Sequence, residues 1–140
     1  MKRKIYITRD DADRLQELLR TGLQRAQRDA ANLLALQAEL RKARIVEPDE
    51  VTPDVVTMHS TVRVVDARTG EESEFTLVFP DEVDTVYNGV SVVAPLGAAV
   101  LGARVGDSVR FQTPGGQRTI RIEEIVYQPE AAGHHEAVLA

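Results

Sequence analysis

The stretch from Ser91 to Gly116 constrains the fold more than any other, because it packs stop signals and periodicity into one short unit. Ser91 to Val93 reads as an apolar strand end. Pro95 stops it, since proline biases its predecessor towards extended geometry and cannot donate to a ladder. Leu96 to Leu101 is small and apolar, enough for one to two helical turns, and Gly102 follows where a left-handed C-terminal residue is wanted. Val105-Gly106-Asp107 predicts a tight turn. Ser108 to Gln112 alternates as a half-buried strand with Val109 and Phe111 on one face. Thr113-Pro-Gly-Gly116 signals a hairpin, and Arg118 to Tyr127 returns as a long strand with Ile120, Ile122 and Glu124 in step. The stretch therefore predicts strand, short helix, strand, hairpin, strand: a curved sheet with a small helix set against it.

The proline-led helix of small residues, the Leu-Gly after it, Val-Gly-Asp-x-Val and Pro-Gly-Gly together resemble the C-terminal domain of the Gre-type transcript cleavage factors of bacterial RNA polymerase. Asp54-Val-Val-Thr-Met-His-Ser-Thr-Val-Arg-Val64, Leu77-Val-Phe-Pro80 and Tyr127-Gln-Pro-Glu-Ala-Ala-Gly133 narrow the likeness. With them the chain resembles, over nearly its whole length, the regulators of nucleoside diphosphate kinase, a Gre-related group with a short helical arm. The resemblance implies an α+β protein in which an N-terminal antiparallel helical hairpin (a short coiled coil) precedes an FKBP-like antiparallel sheet domain with a short helix. It also implies RNA polymerase as the partner.

Composition sets limits on the rest. The chain has 140 residues, enough for one domain and an appendage with a sizeable core. A net charge of −5 gives the whole chain no electrostatic case for gripping DNA, so direct nucleic-acid contact is expected to be weak at most. Absence of cysteine excludes disulfides and thiolate sites and suits the cytoplasm. The N-terminus is basic but lacks an apolar core segment, and no run approaches the length of a membrane span.

Residues 1–46 are expected to form the arm. Lys4-Ile-Tyr-Ile7 alternates like a short extended lead-in. Thr8 is a natural N-cap, and Asp10, Asp11 and Asp13 place negative charge where the helix dipole favours it. Ala12, Leu15, Leu18 and Leu19 recur at helical spacing, which predicts a first helix from about Arg9 to Leu19 and a break at Thr21-Gly22. A second helix, starting between Leu23 and Arg28, runs to about Ala43 with Ala26, Ala30, Leu33, Leu36, Leu40 and Ala43 as its stripe. Ordinary helix packing accounts for both stripes. A first helix of that length reaches only ~17 Å at ~1.5 Å per residue, too short for the catalytic metal of the polymerase if the arm enters its channel.

The resemblance also directs attention to the arm tip, where the cleavage factors carry paired acids that help to hold a metal ion and its water. Here Leu19 to Asp29 contains Arg20, Arg25 and Arg28 and the single acid Asp29. One carboxylate among arginines suits surface ion pairs better than metal binding. The arginines read first as a solvated helix face and second as a contact to RNA or to an acidic polymerase surface.

Residues 47–54, with two prolines and four acids, read as a linker, and the sheet domain is expected over 55–130. Thr61 to Val65 and Phe75 to Phe79 read as strands around a turn at Thr69-Gly70, and Pro80 ends the second. Asp81 to Gly89 is an acidic loop. Residues 131–140 are expected to form a frayed tail.

The residues offer little for catalysis. No Gly-x-x-x-x-Gly-Lys-Ser/Thr loop is present to cradle phosphates, so a kinase reading finds no support. His59 reads as a hydrogen-bonded structural histidine, His134-His135 lie in the tail, and the pattern offers no zinc set, metal site or cofactor site. Tyr6, Tyr87 and Tyr127 are too scattered for a base-stacking platform. A peptidyl-prolyl isomerase or chaperone-like domain is the alternative that the implied fold invites, disfavoured by an aromatic content of 4%. In the Gre-type factors Asp-Ser-Pro before the short helix contacts the rim of the secondary channel. The matching positions are Val93, Ala94 and Pro95, which keep the proline and lose the polar pair. The expectation is a polymerase-docking regulator without catalytic residues that affects nucleoside diphosphate kinase levels.

Overall fold

The computed structural model describes residues 6–25, 34, 36–38, 40–41, 43–47 and 50–132. The chain opens with β1 (Tyr6–Thr8), which runs straight into α1 (Arg9–Arg25). Thr8 caps this helix as its residue type predicts: its Oγ1 accepts the N–H of Asp11 at 3.4 Å. The expected stop at Thr21-Gly22 is corrected, because α1 continues to Arg25. A single glycine costs a helix only ~1 kcal/mol, too little to end one whose apolar face is already buried. The helix is therefore about 26 Å long rather than ~17 Å.

A second helical segment, α2, is described at residues 34, 36–38 and 40–41. Leu36 is fully buried and Leu40 and Ala43 pack beside it, as the stripe predicts, whereas Leu34 is exposed. Ala26, Ala30 and Leu33 lie outside the described residues. The chain then returns through β2 (Arg44–Val46), which pairs in parallel with β1, Ile7 opposite Ile45.

The remainder is a curled five-stranded sheet of order β5-β4-β3-β7-β6, built from β3 (Thr61–Asp66), β4 (Glu72–Val78), β5 (Gly89–Ser91), β6 (Ser108–Thr113) and β7 (Gly116–Tyr127). The sheet is mixed and not antiparallel as expected, since β5 joins β4 in parallel. The helix α3 (Pro95–Val100) follows β5, and α4 (Pro129–Ala132) ends the described chain. The hairpin at Pro114-Gly115 is as predicted, with Thr113 opposite Gly116. The expected place of Glu124 in the inward row is corrected. Arg63 faces Glu124 while Val64 faces Ile122, so Glu123 is an extra residue in a bulge, and Ile125 takes the inward position opposite Val62.

Arm and sheet share one core. Ile7, Ala12, Leu15 and Leu19 belong to the same buried cluster as Val56, Met58, Val62, Phe75, Phe79 and Ile122. The segment read as a linker is tied to the sheet domain: Val51 is buried, and the Gln128 side chain donates to the carbonyls of Thr52 and Val55 at 2.9 and 2.7 Å.

Candidate functional site

The segment Val93-Ala94-Pro95 is built by the end of β5. That strand stops at Ser91, two residues earlier than its apolar pattern predicts, and the chain turns outward to start α3. Val92 is fully buried and donates to the Val78 carbonyl at 2.9 Å, which anchors the turn. Ser91 holds it from the other side. Its Oγ accepts the Val93 N–H at 3.2 Å and its carbonyl accepts the Ala94 N–H at 3.0 Å. Ala94 is the extended N-cap of α3 and Pro95 its first helical residue, where a missing N–H costs nothing. Gly97 completes the arrangement, since a Cβ there would lie 2.0 Å from the Ser91 carbonyl oxygen. Only glycine lets α3 sit this close to the strand end. Gly102, with φ +82°, then closes the helix as the sequence implies.

The outcome is a fixed patch with Val93 and Ala94 half-buried and Pro95 exposed. From Thr85 to Ala103 the chain carries no Asp, Glu, Lys, Arg or His, so the patch is neutral. Asp81, Glu82 and Asp84 lie just before this neutral run. Tyr87, at 89% exposure, is the most open large side chain of the connecting loop.

The residues expected at the arm tip are only partly described. Arg20 is exposed and ion-paired with Glu17, which also accepts from Thr21 Oγ1. Arg25 ends α1, while Arg28 and Asp29 lie outside the described residues. Gln16, Leu19 and Arg20 of α1 line a cavity of about 490 Å³ together with Gln37, Leu40 and Arg41 of α2. Among the described residues no three His, Cys, Asp or Glu side chains are grouped to hold a metal ion. No described helix is long and apolar enough to cross a membrane.

Sequence reading missed the junction between α1 and the sheet domain, where Asp11, Arg14, His59, Phe79, Asp81, Glu82 and Glu130 meet. His59 is hydrogen-bonded, as its setting suggested: Nε2 lies 2.9 Å from Glu82 Oε1. Its backbone is left-handed, with φ +69°, a conformation that Asn, Asp and His tolerate better than most residues. That residue type before a strand was a faint signal. Nothing in the periodicity of α1 marks Arg14, because an exposed arginine on a helix looks the same whether or not it has a partner across the fold.

Comparison with known proteins agrees with this architecture. The family described as "Transcription elongation factor, GreA/GreB, C-term" matches residues 50–127, and "Rnk N-terminus" matches residues 3–46. The regulator of nucleoside diphosphate kinase of Escherichia coli K12 is 42% identical over 96% of this chain and 98% of its own length. The chain belongs to the Gre-related family of regulators of nucleoside diphosphate kinase. Its Gre kinship is also direct. The elongation factor GreA of Thermodesulfovibrio yellowstonii is 36% identical across 66% of this chain and 59% of its own length. The solved GreA/GreB elongation factor of Nitrosomonas europaea superposes with a TM-score of 0.75 at 43% identity, covering 89% of this chain and all of that one. This Gre-related chain thus pairs an N-terminal helix with a curled mixed sheet, and its matched relatives are named as regulators or transcription factors.

Proposed function

We propose that the chain is a transcription regulator that docks on RNA polymerase at the rim of the secondary channel and does not cleave the transcript. The observation that carries this reading is the exposed Pro95 at the head of α3, held by Ser91 and Gly97 at the position that resembles the docking proline of Gre-type factors. In this reading the sheet domain is FKBP-like, and α1 and α2 pair as an antiparallel arm, supported by the cavity their side chains line together. The neutral Val93 and Ala94 leave shape and apolar contact to do the docking. Binding is therefore weaker or differently specified than with an Asp-Ser pair before the proline. The arm tip, with Asp29 as its one acid among Arg20, Arg25 and Arg28, lacks the acid pair that a metal-assisted cleavage needs. An effect on nucleoside diphosphate kinase levels follows in this reading from polymerase binding in the cytoplasm.

Pro95→Asp tests the docking surface. Loss of polymerase binding with an unchanged melting curve supports it, and intact binding by the folded variant refutes it. Cleavage is tested on backtracked complexes, where RNA shortening comparable to that of a cleavage factor would refute the second half of the proposal.

A further inference from the structure

The pattern Leu-Gln-x-x-Leu-Arg occurs twice in the arm, as Leu15 to Arg20 on α1 and as Leu36 to Arg41 on α2. In each copy the leading leucine is buried in the core that arm and sheet share. The glutamine, the second leucine and the arginine follow at i, i+3 and i+4, on one helical face. Both faces meet the same space. Gln16, Leu19 and Arg20 from α1 and Gln37, Leu40 and Arg41 from α2 line the cavity of about 490 Å³, a volume within the range of small-molecule sites. The chain carries a net charge of −5, yet among the described residues lining this cavity there are two guanidiniums and no carboxylate. Arg20 is shared with Glu17, which stands outside the lining. Among the described residues, none offers a hydrogen bond or a carboxylate to the side chains of Gln16, Gln37 and Arg41.

We propose that this cavity is a binding site for a small organic dianion with an apolar body, held between the two arm helices. The two guanidiniums match two negative charges, and each presents a planar fork of N–H donors to a phosphate or carboxylate. Leu19 and Leu40 give the body an apolar floor. The two carboxamides, each both donor and acceptor, fix its orientation. Doubling of the pattern accounts for each kind of group being present twice. That chemistry has two sources: a phosphate monoester, with both charges on one group, or a dicarboxylate, with one charge at each end. A partner helix fits less well, because a helix laid in a groove needs apolar anchors over two turns and the described floor is two leucines. A ligand that touches both helices ties α1 to α2 and stabilises the arm by mass action. The site lies on elements other than those carrying Val93, Ala94 and Pro95, so it stands or falls apart from the docking reading.

The test uses the full chain without polymerase. Phenyl phosphate and adipate serve as dianions of the two kinds, and inorganic phosphate serves as charge without an apolar body. Amide and side-chain resonances are followed in titrations at about pH 7.5 and low salt, where exposed charges are least screened. Saturable shifts confined to the two copies of the pattern are expected with at least one of the organic dianions, at roughly tenfold tighter binding than inorganic phosphate. The tighter of the two identifies the source. Arg41→Gln should weaken that binding about tenfold, and Arg41→Lys should restore part of it, because lysine returns the charge without the fork. Arg41 is exposed, so neither variant removes a core contact. Absence of saturable shifts with both organic dianions overturns the site, as do shifts that Arg41→Gln leaves unchanged. Equal binding of inorganic phosphate also overturns it, since that marks a surface attracting any anion.

Discussion

In the sheet domain, side chains are tied to backbone; in the arm, they are tied mainly to each other and to a shared core. Asp66 accepts the N–H groups of Arg68 and Thr69 and the guanidinium of Arg118. Asp107 accepts from the Arg104 backbone at 2.9 Å, and Gln128, just past β7, donates to the carbonyls of Thr52 and Val55. Each such bond fixes a loop relative to a strand. Among the described contacts of α1, beyond the cap at Thr8, are the exposed pairs of Arg20 with Glu17 and of Arg14 with Asp81. Exposed pairs contribute little and adapt easily. The Val93-Ala94-Pro95 patch proposed for docking thus sits on the part with few ways to move. The arm is attached through apolar contact, which fixes distance better than angle.

That contrast can be broken most directly in the core. Leu15 is fully buried in the cluster that arm and sheet share, so Leu15→Ala should cost about 3 kcal/mol in denaturant unfolding. If arm and sheet unfold as one unit, the loss appears in a single transition seen equally by far-ultraviolet dichroism and by amide exchange in β7. A separate early melting of helix alone would show that the shared cluster does not couple them, and that residues 55–130 stand on their own.

A smaller effect is expected at Gly97. Gly97→Ala forces α3 away from the Ser91 carbonyl and should cost about 2 kcal/mol, with the disturbance confined to Ser91–Val100 in amide chemical shifts. If docking uses Pro95, polymerase binding should weaken more than this stability loss alone explains. An unaffected binding isotherm would separate the patch from the partner.

Arg14→Gln comes next, at about 1 kcal/mol, the sum expected for an exposed ion pair and a ring contact. Its mark should be a change in arm orientation by small-angle scattering with little change in the unfolding midpoint. The mildest test is acid. Arg118 first, then the N–H groups of Thr69 and Arg68, hold Asp66 down to about 2. Its stabilising contribution is therefore complete above its ordinary value near 4 and is lost as pH falls towards 2. Asp66→Asn should flatten that acid limb in unfolding curves taken between about pH 4 and pH 2.

These differences explain which parts were legible in the sequence. The hairpin at Pro114-Gly115, the turn at Gly106 and the proline-led α3 follow from local backbone chemistry, and each appears where its residues place it. Contacts between distant segments left no such trace. Nothing in Glu72 to Val93 announces that β5 lies parallel to β4, because a parallel partner is chosen by the path of the connection and not by the strand itself. The extension of α1 past Gly22 was hidden for a related reason: local propensity argued for a stop and tertiary burial overrode it. At the candidate site, Pro95 was legible as a motif. The junction of α1 with the sheet domain was not, since Arg14, His59, Phe79 and Glu82 become neighbours only once the chain has folded.

The bulge at Glu123 has a consequence for how such a chain changes length over evolutionary time. A second register shift follows, between Val62 and Thr61, where Ile125 and then Tyr127 are the partners on β7. Each irregularity is an added residue that the ladder has already absorbed by bending. Strands normally reject single-residue gains and losses, because every later side chain would swap faces. Here a deletion at Glu123 would fall on a residue without an opposite number, leaving Ile122 and Ile125 facing inward. The end of β7 should therefore tolerate a one-residue length variation among related chains that β3, its regular neighbour, would not survive.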